Sequence, residues 1–107
     1  MKKIISTNNA PAAIGPYSQA IEVNGMVFLS GQLPIDPATG DFPEGGAKEQ
    51  TEQCFKNIKA ILAEADLTTD NIVKTTVLLN DIAHFGAMNE VYATQFSGTF
   101  PARSAFA

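Results

Sequence analysis

The spacing of apolar residues changes period along the chain, and each change marks an element. Ser18–Val23 and Met26–Ser30 are β-prone runs separated only by Asn24-Gly25. Both central positions of a type I′ turn need positive φ, which Asn and Gly tolerate, so this stretch predicts an antiparallel hairpin. Lys2–Ser6 predicts a preceding strand, ended by the turn-rich Asn8-Asn9-Ala10-Pro11. Between Pro34 and Gly46, Pro34, Pro37, Gly40, Pro43, Gly45 and Gly46 remove donors and supply turn dihedrals, which predicts a loop. Ala47–Ala65 then reads as a helix, with Cys54, Phe55, Ile58, Ile61, Leu62 and Ala65 at helical spacing and charged residues on the other face.

Ile72–Asn80 returns to a period of two, with Val73, Thr75, Val77 and Leu79 on one face and Lys74, Thr76 and Leu78 on the other. Asp81 is placed to cap a second helix, whose buried stripe is Phe85, Met88, Tyr92 and Phe96 and whose end is expected at Gly98. Arg103–Ala107 alternates like a strand running into a sheet. The chain stops in mid-strand, from which we expect a C-terminal piece to be missing. The order βββαβα followed by β predicts a single α+β domain over residues 1–107, with both helices on one face of the sheet.

Composition narrows the function classes. A chain of 107 residues that is 45% hydrophobic and 17% charged supports one core and is too apolar for wholesale disorder. Seven basic against eleven acidic side chains leave a net charge of −4, which argues against a broad phosphate-binding surface and so against nucleic acid as partner. No apolar run approaches the ~20 residues of a membrane-spanning helix. The N-terminal apolar stretch is too short for a signal peptide, and the single Cys54 allows no internal disulfide. A cytoplasmic protein is the expectation.

Several kinds of chemistry lack their residues. His84 and Cys54 lie about thirty positions apart with no zinc-ligand spacing around either, so no metal is expected. The glycines match neither a dinucleotide fingerprint nor a P-loop, so no cofactor is expected. Gly45-Gly46 precedes a helix and reads either as a flexible joint or as backbone N–H groups open to an anion. Ser30, followed by Gly31-Gln32, is not in a nucleophile elbow. Arg103 at the head of the last strand has two readings: an exposed strand-end cation, or a guanidinium that grips a carboxylate with paired donors.

Five segments, taken together and in order, resemble one family. They are Ala10–Gln19 (APAAIGPYSQ), Ser30-Gly31-Gln32, Ile72–Val77 (IVKTTV), Met88–Tyr92 (MNEVY) and Phe100–Ser104 (FPARS). The chain resembles the RidA (YjgF-type) family of reactive enamine/imine deaminases from its first residues to its last. The resemblance implies a chorismate-mutase-like fold with a mixed sheet, assembled as a homotrimer with clefts between subunits. It implies cofactor-free hydrolysis of 2-iminobutanoate, 2-iminopropanoate or their enamine tautomers to 2-oxo acids and ammonia.

Carried over residue by residue, the resemblance makes Arg103 the carboxylate-gripping group and places Arg103, Tyr17 and Asn89 in catalysis. Ser30, Gly31, Tyr17 and Ala105 line the substrate pocket with it. Tyr17 either donates a hydrogen bond or walls the cleft, and Asn89 is either a polar pocket residue or a helix-face neighbour. Two departures stand out. Ala105 occupies a position where the family commonly has cysteine, and the family's closing segment, with the glutamate thought to act on water, is absent from this sequence. Two alternatives therefore accompany the deaminase reading: a non-enzymatic module that binds 2-oxo acids, and RNA cleavage, against which the net charge counts.

Overall fold

A computed structural model describes residues 1–107. The hairpin forms where Asn24-Gly25 predicts it, both residues having positive φ (51° and 76°). It joins β2 (Ala20–Val23) to β3 (Met26–Leu29), in register from Val23 opposite Met26 to Ala20 opposite Leu29. β1 (Lys3–Ile5) adds antiparallel to β2, with Lys3 opposite Glu22 and Ile5 opposite Ala20. β4 (Lys74–Leu78) and β5 (Ala102–Phe106) pair in parallel, from Lys74 opposite Ala102 to Leu78 opposite Phe106. Antiparallel and parallel pairings thus coexist, the first in a three-stranded sheet β1-β2-β3 and the second in a two-stranded sheet β4-β5.

Two helices cover one side of these strands. α1 (Ala47–Glu64) sets Ile61 against Ile5, Ala10 and Ala20, closing the core over the antiparallel strands. Phe55, one and a half turns earlier, joins Met88, Tyr92 and Phe96, with Val77 of β4 packed alongside. Met88 and Tyr92 lie on α2 (Phe85–Ala93), so this second core joins both helices to the parallel pair. The other side of the strands is uncovered. Ile4 and Phe28 flank Ile21 in one cross-strand row and Leu78 faces Phe106 in another. Ile4, Phe28, Leu78 and Phe106 are each exposed over more than half their surface.

α2 ends earlier than its apolar spacing predicts, at Ala93 rather than near Gly98. The Thr94 and Gln95 N–H groups close tight turns onto the Val91 and Tyr92 carbonyls (3.0 and 3.1 Å), and the Thr94 hydroxyl donates to the Val91 carbonyl at 2.7 Å. The Asp70 carboxylate then accepts from the N–H of Ser97 (3.0 Å) and Gly98 (3.3 Å) and from the Ser97 hydroxyl, which draws the chain off the helix axis. Those bonds hold the Asp70 carboxyl below its ordinary pKa. Phe96 keeps its place in the core through ring contacts with Phe55 and Tyr92. Asp81 caps as predicted, accepting from the Ala83 N–H at 2.9 Å, but the turn it starts is a short 3₁₀ segment, Ile82–His84, that leads into α2.

Polar side chains hidden in the core organise the loops. Asn57 of α1 is 1% exposed. Its Nδ2 donates to the carbonyls of Leu33 (3.1 Å) and Ile35 (2.9 Å), and its Oδ1 accepts from Gln53 Nε2 (3.0 Å). Cys54 Sγ donates to the Gln32 carbonyl at 3.3 Å. Three carbonyls of the segment following Ser30-Gly31 are therefore tied to one helix. Gln19 does the same for the N-terminal loop, accepting from the Thr7 N–H (2.7 Å) and donating to the Thr7 and Pro11 carbonyls (3.1 and 2.8 Å). Asn57→Ala strips partners from two carbonyls and a buried amide, and is expected to lower unfolding stability by about 2–3 kcal/mol. A urea titration measures this, and a midpoint indistinguishable from wild type would contradict the role.

Candidate active site

Arg103 projects from β5 toward the helices, on the same strand face as Ala105 and beside its register partner Thr75. Three residues of α2 receive it. Phe85, Asn89 and Tyr92 recur at i, i+4 and i+7, the spacing of one helix face. Arg103 Nη1 donates to Asn89 Oδ1 at 2.7 Å. The guanidinium carbon lies 4.7 Å from the centre of the Tyr92 ring and 5.4 Å from that of Phe85. Aromatic faces at these distances attract a cation without neutralising it.

No carboxylate answers this charge. The chain's one ion pair is Lys48–Glu90 at 2.7 Å, which occupies the acid next to Asn89 on α2. The guanidinium thus meets a neutral amide oxygen and two rings, and keeps donors and full charge for something else. The space it faces is a cavity of about 430 Å³ lined by Asn89, Tyr92, Ala93, Phe100, Pro101 and Arg103. One cation, one amide whose Nδ2 is left free, and apolar walls are the parts needed to hold a small organic anion. A second hollow of about 450 Å³ includes Tyr17 and Glu64 but no cationic side chain, so it lacks that ability.

The residues carried over from the resemblance divide into two groups. Arg103 and Asn89 come together directly; Ala105 lies two residues along the same strand face but does not line the cavity. Tyr17, Ser30 and Gly31 do not reach this cavity within the chain. Ser30 and Gly31 follow β3 in the antiparallel set; the Ser30 hydroxyl donates to the Ser18 carbonyl at 2.6 Å, and Gly31 is exposed. Tyr17 is half exposed beside the N-terminal loop.

Other candidates find structural places. Burial pushes the Cys54 thiol up to about 11, and its hydrogen goes to a carbonyl, so it is no nucleophile at neutral pH. His84 is exposed, and no three or more His, Cys, Asp and Glu side chains gather closely enough to hold a metal ion. At Gly45-Gly46, Glu49 Oε1 accepts the Gly46 N–H at 2.8 Å, so a carboxylate of the chain itself takes the helix terminus. That bond holds the Glu49 carboxyl below its ordinary range. Sequence reasoning missed Phe85, Tyr92 and Thr75 as parts of the arginine's surroundings. The i, i+4, i+7 recurrence of Phe, Asn and Tyr upstream of the arginine is the signal that could have found them.

A cleft lined by an arginine without a carboxylate partner, on a small α+β scaffold, defines the class, and comparison with known proteins gives the family. The family described as Endoribonuclease L-PSP matches residues 7–107. A RutC family protein of Sinorhizobium fredii is 55% identical over 102 residues, covering 95% of this chain and 81% of the relative. The 2-iminobutanoate/2-iminopropanoate deaminase of Mus musculus is 49% identical over 106 residues, 99% of this chain and 78% of the relative. Among solved structures, a Rid family protein of Yersinia pestis superposes with a TM-score of 0.95 at 51% identity, covering 99% of this chain and 85% of that one. Escherichia coli TdcF, solved with bound serine, superposes with a TM-score of 0.91 at 41% identity, covering 97% and 84%. The chain belongs to the RidA/YjgF family.

Proposed function

We propose that the protein hydrolyses reactive 2-imino acids, or their enamine tautomers, to 2-oxo acids and ammonia, in the cytoplasm, at sites completed between the subunits of a homotrimer. The observation that carries this reading is Arg103: a half-buried guanidinium with no carboxylate partner, opening on a cavity beside the free amide of Asn89. The mammalian relatives' names supply the reaction, and serine bound to a structural neighbour shows a small amino acid held by a related fold.

The chemistry asks little beyond placement. Water adds to the carbon of the protonated C=N bond, one proton of that water passes to the nitrogen, and the resulting ammonium carbinolamine gives its hydroxyl proton to solvent as the C–N bond breaks to release ammonia and leave C=O. A protonated imine is already electrophilic, so holding the substrate by its carboxylate and aiming one water can supply several kcal/mol of the barrier reduction. Arg103 holds the carboxylate and Asn89 Nδ2 donates to substrate or water. Ser30, having given its hydrogen to Ser18, offers lone pairs that accept from an imine N–H. The Gly31 N–H has no partner within the chain and can donate to the reacting oxygen. Ser30, Gly31 and Tyr17 belong to the adjoining subunit in this reading, and the uncovered apolar side of the strands is the surface through which subunits meet.

One observation favours a second reading. Apart from Arg103 and Tyr92 the cavity holds no titratable side chain, which suits a module that binds 2-oxo acids without turning anything over. A coupled assay separates the two. Threonine dehydratase generates 2-iminobutanoate, and the protein is expected to accelerate ammonia release above the spontaneous rate. Binding of 2-oxobutanoate with no acceleration would identify the sensor instead. Cleavage of a generic single-stranded RNA in place of either would favour the third reading.

A further inference from the structure

A free arginine spreads its long side chain over many rotamers, and part of that freedom is lost when the fork is fixed on an anion. The bond to Asn89 holds one nitrogen and leaves the plane of the fork free to swing about it. A flat surface is needed to set that plane, and the Tyr92 ring lies 4.7 Å from the guanidinium carbon. The ring is itself immobilised. Tyr92 is 5% exposed, with the Phe55 ring edge-on at 5.6 Å and Phe96 tilted against it at 5.0 Å. Its hydroxyl meets Thr75 Oγ1 at 2.8 Å.

Thr75 is not an arbitrary partner. It sits directly opposite Arg103 in the parallel pair, so the tyrosine is tethered to the strand position beside the arginine it supports. That bond ties α2 to β4 at the level of Arg103. A phenylalanine would fill the same core space and give up the tether.

We propose that Tyr92 and Thr75 are positioning residues that fix the plane of the Arg103 fork for a carboxylate. The inference rests on the carboxylate-binding reading of Arg103. Preorganisation acts on substrate binding, so its loss appears in KM and in the Kd of 2-oxobutanoate, with kcat little changed. Tyr92→Phe and Thr75→Val are each expected to raise both constants about three- to tenfold, the range of one lost hydrogen bond between neutral groups. The double variant is expected to be no worse than either single one, and Thr75→Ser, which keeps the hydroxyl, to restore wild-type values. In an Arg103→Ala background, Tyr92→Phe is expected to add nothing.

These variants keep core volume, and a thermal melt read in parallel reports any loss of stability separately. Wild-type KM and Kd in Tyr92→Phe, whatever its melting temperature, overturn the proposal while leaving Arg103 as the carboxylate group. Wild-type values in Arg103→Ala overturn the underlying reading and this proposal with it.

Discussion

Arg103→Ala is expected to lower kcat/KM for a 2-imino acid by about 10²- to 10³-fold, with most of the change in KM, because a desolvated charged contact to substrate costs about 3–4 kcal/mol when one partner is removed. The same change is expected to leave stability close to wild type. Arg103 makes no ion pair, donates one hydrogen bond to the amide of the exposed Asn89, and rests on rings that can pack against each other or against water when it is gone. A residue kept in the fold for stability would show the reverse pattern, with a lowered melting temperature and unaltered kinetics in the folded fraction. Arg103→Lys is expected to recover only part of the loss. Lysine restores the charge, but as a point donor on a flexible stem it cannot form two parallel bonds to a carboxylate. Parallel kinetics and thermal melts of the three proteins decide the matter, and equal kcat/KM for wild type and Arg103→Ala would remove the assignment.

How much of this could be read without coordinates depends on the range of the interactions concerned. The β2–β3 hairpin is specified by two adjacent residues whose φ preferences are intrinsic, and the structure realises it at those residues. α1 is announced by an apolar stripe and ends within one residue of the expected position. α2 is different, because its end is decided from a distance. Asp70 lies far upstream in sequence, yet its carboxylate takes the N–H groups of Ser97 and Gly98, and no local pattern around Gly98 reports that. Asn57 likewise interrupts the apolar stripe of α1 for the sake of carbonyls in a loop more than twenty residues away.

The site follows the same division. Arg103 was ambiguous as a residue; resemblance put it and Asn89 in one pocket, and only the structure pairs them directly. Tyr92 was legible as core and not as the arginine's platform, because a stripe of apolar residues has the same spacing in either role. Tyr17, Ser30 and Gly31 could be named but not placed, since no contact within the chain brings them to the cavity of Arg103.

That last point yields the strongest test of the assembled site. Gly31 is exposed, and a Cβ built on it meets nothing within 4 Å in its own chain. Gly31→Val is therefore expected to fold normally as a subunit, yet to block a cleft that an adjoining protomer's Arg103 shares, with activity falling about 100-fold or more as substrate positioning is lost. Arg103→Ala is defective for the opposite reason, with a damaged grip and an intact Gly31.

Co-expressing these two inactive variants should restore activity in trans. In a closed trimer each seam takes its arginine from one subunit and its glycine from the next, so random mixing leaves about one quarter of the seams with both native groups. Activity near a quarter of wild type is the expected result. A mixture no better than its components would mean that both groups serve a site within one chain, and would defeat the shared seam. Phe28→Asp supplies the complementary arm. Phe28 stands on the uncovered row with Ile4 and Ile21, where a carboxylate would be buried without a partner on assembly. Sedimentation should find that variant as monomer, and it should lose turnover although its own Arg103, Asn89 and Tyr92 are untouched.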